Sequence, residues 1–159
     1  MTTTRRAILG ATAIVPLALA GCASQTTTQL QADVKAITSG LTGVMAALGQ
    51  IPGVATNAHD QALLAQAQQE LAVVQSDGAA IASALTPNAS VVTTFTSAIT
   101  AFVPLVTPFF PMAPAVAAVV EAAASLVSVV LAEAGIAAAG LKTPRPTMSP
   151  SAARMILGG

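Results

Sequence analysis

The strongest constraint on the fold is an apolar seam in the first third of the chain. Its members are spaced alternately by four and three positions: Leu30, Val34, Ile37, Leu41, Val44, Leu48 and Ile51. This spacing places them on one face of an α-helix, and such a face must be covered by other apolar surfaces. The seam predicts a helix over 29–50, ended by Pro52-Gly53. Asp33 lies off the seam, and Gly40 and Gly43 predict the close approach of another backbone.

The next predicted helix covers about 58–85. Asn57 is placed to cap its N-terminus, because an Asn side chain accepts hydrogen bonds from the first free backbone N–H groups. A similar seam marks one face: Leu64, Ala67, Leu71, Val74, Ile81 and Leu85. Asp77-Gly78 interrupts this seam, and predicts either a kink or a division into two helices.

No charged residue lies between Asp77 and Glu121. The first part of this stretch is compatible with a strand over 91–95, but the 3–4 spacing of Val92, Phe95, Ile99 and Phe102 favours a third helix over about 90–103. A rigid turn follows, because proline removes a backbone donor and four prolines occur close together: Pro104, Pro108, Pro111 and Pro114. A fourth helix, about 114–139 and ended by Gly140, is apolar on nearly all faces and is therefore expected to be buried in a core or in lipid. Together these patterns predict an all-α fold, a small antiparallel bundle of about four helices.

The first 22 residues have the three zones of an export signal. Arg5 and Arg6 form a basic start, residues 7–18 are apolar but too short to span a bilayer as a stable helix, and Leu19-Ala20-Gly21-Cys22 ends the segment. This ending resembles the lipobox of bacterial lipoproteins. The resemblance implies that the bond between Gly21 and Cys22 is cut and that Cys22 carries lipid on its sulfur and on its new amine. Cys22 is also the only cysteine of the chain, which excludes an internal disulfide.

The residues around the arginine pair, Thr4 to Leu9, also resemble the twin-arginine export signal, which carries cargo already folded. Paired arginines serve general secretory signals as well, because positive charge alone orients the segment, so both export routes stay open. Ala23 differs from the aspartate that follows the cysteine of lipoproteins retained at the inner membrane. In a two-membrane bacterium the resemblance therefore favours the outer membrane, with the protein facing the periplasm.

These features divide the chain into four parts. A signal peptide (1–21) precedes a lipidated polar tether (22–28), the helical bundle (29–140) and a proline-rich basic tail with a short helix (141–159). After the signal, carboxylates outnumber Lys and Arg. A nucleic-acid partner is therefore not expected, since binding phosphates needs a basic face.

Groups with chemical potential are few and scattered. His59 is the only histidine, and a metal site needs several donors, which do not cluster in the sequence. Glu121 and Glu133 project about 120° apart around a helix, which suits solvation at its edges better than acid–base catalysis. No phosphate-binding glycine loop or nucleophile motif occurs. The sequence thus predicts a protein that is not an enzyme and holds neither cofactor nor metal.

Three functions fit these expectations. The favoured one is a structural or binding lipoprotein of the bacterial envelope. It would offer a protein partner or a lipid an apolar groove near four aromatic rings: Phe95, Phe102, Phe109 and Phe110. The alternative is a membrane-active lipoprotein, of the kind used in lysis or pore formation, that inserts residues 101–139. The third is an accessory subunit whose first helix pairs with another chain as a coiled coil.

Overall fold

The computed structural model describes the backbone of residues 16–158 and the side chains of residues 26–158. Within this range the chain is all-helical, without a strand, as predicted. Its α-helices are α1 (Pro16–Leu48), α2 (Ala58–Ser83), α3 (Ala89–Val106), α4 (Pro114–Glu133) and α5 (Pro150–Leu157). Short 3₁₀-helices lie in two connections, Val54–Thr56 and Thr107–Met112.

The apolar seam of α1 is confirmed. All its members within the helix are at most 3% exposed: Leu30, Val34, Ile37, Leu41, Val44 and Leu48. They are buried because α2 and α4 pack against α1. The seam is thus occupied within the chain, which leaves the coiled-coil hypothesis without its pairing surface. The helix also runs through residues 22–28, so the segment expected as a tether has a helical backbone.

The start of α2 agrees with its prediction, and its end does not. The side-chain oxygen of Asn57 accepts hydrogen bonds from the backbone N–H groups of His59 and Asp60, which confirms the N-cap. The helix ends at Ser83, so Leu85 lies in the following loop and is 92% exposed. The prediction that Leu85 belongs to a buried seam is therefore wrong.

Between its ends, α2 passes undivided through Asp77-Gly78, because Gly78 serves packing rather than a turn. Gly78 is buried where α2 meets α1 and α3. A Cβ atom at this position would lie 2.6 Å from Oγ1 of Thr38 and 3.3 Å from Cε2 of Phe95. Only glycine lets both side chains come so close to the α2 backbone.

The proline-rich stretch is more helical than predicted. α3 passes through Pro104 and ends at Val106, and a 3₁₀-helix continues to Met112. A proline in the last turn removes one backbone hydrogen bond without preventing the turn, so the non-helical turn expected from Pro104 onwards is wrong. α4 then begins at Pro114, as predicted for a residue whose missing N–H is harmless at a helix start.

Gly135, rather than Gly140, ends α4. Gly135 has a φ of 70°, and its N–H donates to the carbonyl of Ala132 at 3.0 Å. The N–H of Ile136 donates to the carbonyl of Leu131 at 2.8 Å. These two bonds form a Schellman motif, which satisfies carbonyl groups left free at a helix end. The prediction of a helix to residue 139 is therefore wrong.

The core draws heavily on the stretch that lacks charge. α4 packs against α1, α3 and α5. The rings of Phe95, Phe102 and Phe109 are at most 1% exposed and Phe110 is half-buried, so three of the four rings expected beside a groove fill the core instead. The short helix expected near the end is α5, capped by Ser149. Because α5 packs on α4 and α1, residues 150–157 are part of the fold rather than of a free tail.

Candidate functional site

A cluster of charged side chains joins three helices. Asp33 of α1 is 1% exposed, and both its carboxylate oxygens accept hydrogen bonds from Arg154 of α5. The Nε–Oδ1 distance is 2.8 Å and the Nη2–Oδ2 distance is 2.6 Å. Gln29 also donates to Oδ1 from Nε2 at 3.1 Å. The two-point contact fixes the orientation of the guanidinium and makes these hydrogen bonds stronger than neutral ones.

Glu133 of α4 completes the cluster. Its Oε1 lies 3.3 Å from Nη2 of Arg154, whereas its Oε2 is buried without a hydrogen-bond partner. Burial raises the pKa of Glu133 above its ordinary value of 4.5, the charge of Asp33 raises it further, and Arg154 opposes both effects. The pKa of Arg154 is also raised, chiefly by its hydrogen bond to Asp33. One cation is thus shared by two carboxylates from different helices.

Sequence reasoning missed this cluster. Asp33 lies off the seam yet is buried, and Glu133 is 15% exposed rather than solvated as expected. The spacing could have indicated that Asp33 is buried, since Asp33 lies three positions after Leu30 and four before Ile37, on the flank of the buried face. The partner cation was not predictable from periodicity, because α5 reaches α1 through an irregular linker.

The other candidate residues do not join the cluster. His59 and Glu121 are both exposed, at the start of α2 and on α4. Among the side chains that the structure describes, no three His, Cys, Asp or Glu residues are grouped to hold a metal ion. Arg5 and Arg6 lie outside the described residues. Gly21 and Cys22 belong to the helical backbone of α1, and their side chains lie outside the described part.

An apolar groove of about 290 Å³ opens between α1, α4 and α5. Small and aliphatic residues line it, among them Gly43, Ala47, Ala115, Val119 and Ile156. Gly40 and Leu157 also line it, and a Cβ atom at Gly40 would be 2.6 Å from Cδ2 of Leu157. The close approach predicted at Gly40 is thus made by a side chain, whereas nothing lies within 4 Å of a Cβ atom at Gly43. The groove marks where α5 incompletely fills the space between α1 and α4.

Two helical segments are long and apolar enough to cross a membrane. They are Ala89–Met112, with a mean hydropathy of 1.7, and Pro114–Glu133, with a mean hydropathy of 2.2. Of their most apolar windows, 39% and 56% are buried inside the chain. Core helices of soluble proteins meet the same criteria, so length and composition alone do not assign a span.

Comparison with known proteins finds no matching family model, no similar curated protein and no similar solved structure. The N-terminal motif and the geometry of the helices are therefore the features that bear on function.

Proposed function

We propose that this protein is a non-enzymatic lipoprotein of the bacterial envelope, anchored to a membrane through Cys22, with a structural or binding role. The observation that carries this proposal is the ending Leu19-Ala20-Gly21-Cys22 of an export-type segment, in a chain with no other cysteine. More than one acyl chain gives a stable attachment, since each buried methylene contributes about 0.8 kcal/mol. The protein would face the periplasm, at the outer membrane in a two-membrane bacterium.

In this proposal α1 to α4 form an antiparallel bundle carried by the anchor. Two hydrogen bonds support opposite directions for α1 and α2. Gln31 donates to the carbonyl of Ala84 at 2.9 Å, and Gln75 donates to Oγ1 of Thr42 at 3.1 Å. Each remaining pair of neighbours, α2 with α3, α3 with α4 and α4 with α1, is also in contact. From Cys22 to the start of the buried seam, eight residues later, α1 would rise about 12 Å.

The anchor is tested with Cys22→Ala, measuring intact mass and membrane partition of the expressed protein. The wild type is expected to be cut before Cys22, to gain lipid mass and to sediment with membranes, whereas the variant does none of these. Ser24→Ala is the matched control, because it changes a neighbouring small residue outside the motif. If wild type and Cys22→Ala both stay in the membrane without lipid mass, the anchor is refuted.

A second candidate is a membrane-active lipoprotein that inserts residues 101–139. The observation that favours it is the helical continuity of the apolar stretch, since α3 and the following 3₁₀-helix reach Met112 despite Pro104. The charged side chains in this segment oppose insertion, because Glu121 and Glu133 would each raise the free energy of insertion by a few kcal/mol if drawn to the middle of the bilayer.

Dye release from liposomes separates the two candidates. Ala115 is exposed on α4, so Ala115→Lys leaves the packed core untouched and puts a charge well inside the inserting segment. If the segment inserts, the wild type releases dye and Ala115→Lys does not. Ala65→Lys is the matched control, because Ala65 is exposed on α2, outside both apolar segments. Liposomes that stay intact with the wild type would remove the membrane-active candidate.

A further inference from the structure

We propose that α5 is a latch, which closes over α1 and α4 and opens independently of the other helices. α5 has eight residues, fewer than the roughly 12 that an isolated helix needs to be even marginally stable in water. It is therefore helical because it is docked. Its contacts with α1 and α4 therefore decide whether α5 can separate while the other helices stay folded.

α5 lies against α4 and α1 but buries few apolar side chains of its own. Ala153 is its one buried residue, and Leu157, which rests on Gly40, is half-buried. Met155 and Ile156 are 73% and 43% exposed. The groove of about 290 Å³ beside the helix shows that α5 leaves part of the surface between α1 and α4 unfilled. Since stabilisation by burial scales with the apolar area removed from water, the apolar side chains of α5 contribute little to its docking.

Arg154 supplies the specific attachment. It is the cation of the charged cluster, reaching Asp33 on α1 and Glu133 on α4. Apolar side chains would hold a permanently docked helix equally well, because replacing a buried ion pair by packed hydrophobic residues often leaves stability unchanged or increases it. Once α5 opens, water solvates the carboxylate of Asp33, so this residue stabilises the open state in a way that an apolar side chain would not. The mutual repulsion of Asp33 and Glu133 further favours the open state when Arg154 withdraws.

The linker before α5 shows where the motion begins. The backbone N–H of Thr147 donates to Oγ of Ser125, a buried residue of α4, at 3.1 Å. This bond holds the linker on α4, so the moving part starts after Thr147. When it opens, it uncovers the surface beneath Leu157, at Gly40 and Val119, and so enlarges the apolar groove that these residues line. The latch thus controls how much apolar surface α1 and α4 present to their surroundings.

Amide hydrogen exchange of the full chain with Arg154→Met tests the latch. Methionine keeps an unbranched apolar stem and removes the charge. Exchange over residues 150–157 is expected to be about ten-fold faster than in the wild type, with exchange in α2 and α3 unchanged. Arg145→Met is the matched control, because Arg145 is exposed in the linker, and its exchange pattern should equal that of the wild type. Unchanged exchange in α5 of Arg154→Met, or equal acceleration in all helices, would overturn the proposal.

A reversible cross-link gives an independent test. Gly40→Cys with Leu157→Cys, in a Cys22→Ala background, leaves only the two engineered thiols. Leu157→Cys also removes the Cδ2 atom that a Cβ at position 40 would meet at 2.6 Å. The oxidised protein is expected to exchange more slowly over residues 150–157 than the reduced protein. Equal exchange in both forms would overturn the latch.

Discussion

The same substitution at two helical glycines is expected to change stability in opposite directions. Gly78→Ala in α2 places a Cβ atom 2.6 Å from Oγ1 of Thr38 and 3.3 Å from Cε2 of Phe95. Real Cβ atoms essentially never approach another atom within 3.0 Å, so a neighbour must move. Gly43→Ala in α1 places its Cβ where nothing lies within 4 Å.

The change in the free energy of unfolding for each variant follows from two opposing effects. Alanine in a helix interior is favoured over glycine by about 0.8–1 kcal/mol, and Gly43→Ala is expected to gain most of that amount. Overpacking a filled site costs about 1–3 kcal/mol. At Gly78 the neighbours yield poorly, because Thr38 donates to the carbonyl of Val34 at 2.8 Å and the ring of Phe95 is 0% exposed. Gly78→Ala is therefore expected to lower the free energy of unfolding by about 1–2 kcal/mol.

Urea denaturation followed by circular dichroism measures both variants against the wild type. Adding Thr38→Ala to Gly78→Ala removes the closest atom, Oγ1, and should restore part of the lost stability. If Gly78→Ala stabilises the protein as much as Gly43→Ala does, α1 and α3 do not approach α2 as closely as described, and the reasoning is refuted.

Two further predictions concern Glu133 and Leu85. Because burial raises the pKa of Glu133 in the folded state, its contribution to stability is fully present below pH 4.5 and is lost as the pH rises through the folded value. Glu133→Gln should therefore gain stability relative to the wild type between acidic and neutral pH; a constant difference in the free energy of unfolding would contradict this. Leu85→Ser removes a side chain that is 92% exposed, so it should change stability by no more than about 0.5 kcal/mol in thermal unfolding. A loss well above that value would mean that Leu85 is packed.

Local signals in the sequence predicted local structure well. The seam from Leu30 to Leu48 and the cap at Asn57 depend on residues within one or two helical turns of each other, so periodicity and capping rules were sufficient. Pro114 at the start of α4 is a signal of the same kind.

Predictions failed at two helix ends and where residues distant in the sequence meet. Periodicity continues to Leu85 although the helix has already ended, and nothing in the spacing marks that end. Gly135 and Gly140 both follow alanines, and the hydrogen bond from Ile136 to Leu131 selects the first of them. The charged cluster escaped prediction because Asp33 is buried only where α5 returns to α1.

The separation of Asp33 from Arg154, 121 positions along the chain, also sets an order of events during synthesis. Chains emerge from the ribosome N-terminus first, and closing so long a loop is entropically less favourable than pairing α1 with α2. The carboxylate of Asp33 is therefore solvated on the nascent chain, and its charge keeps that flank of α1 hydrated until Arg154 has been synthesised. If the protein is exported as we propose, a route that carries folded cargo requires the pair to close before the membrane is crossed. A route that threads an unfolded chain lets it close only on the far side.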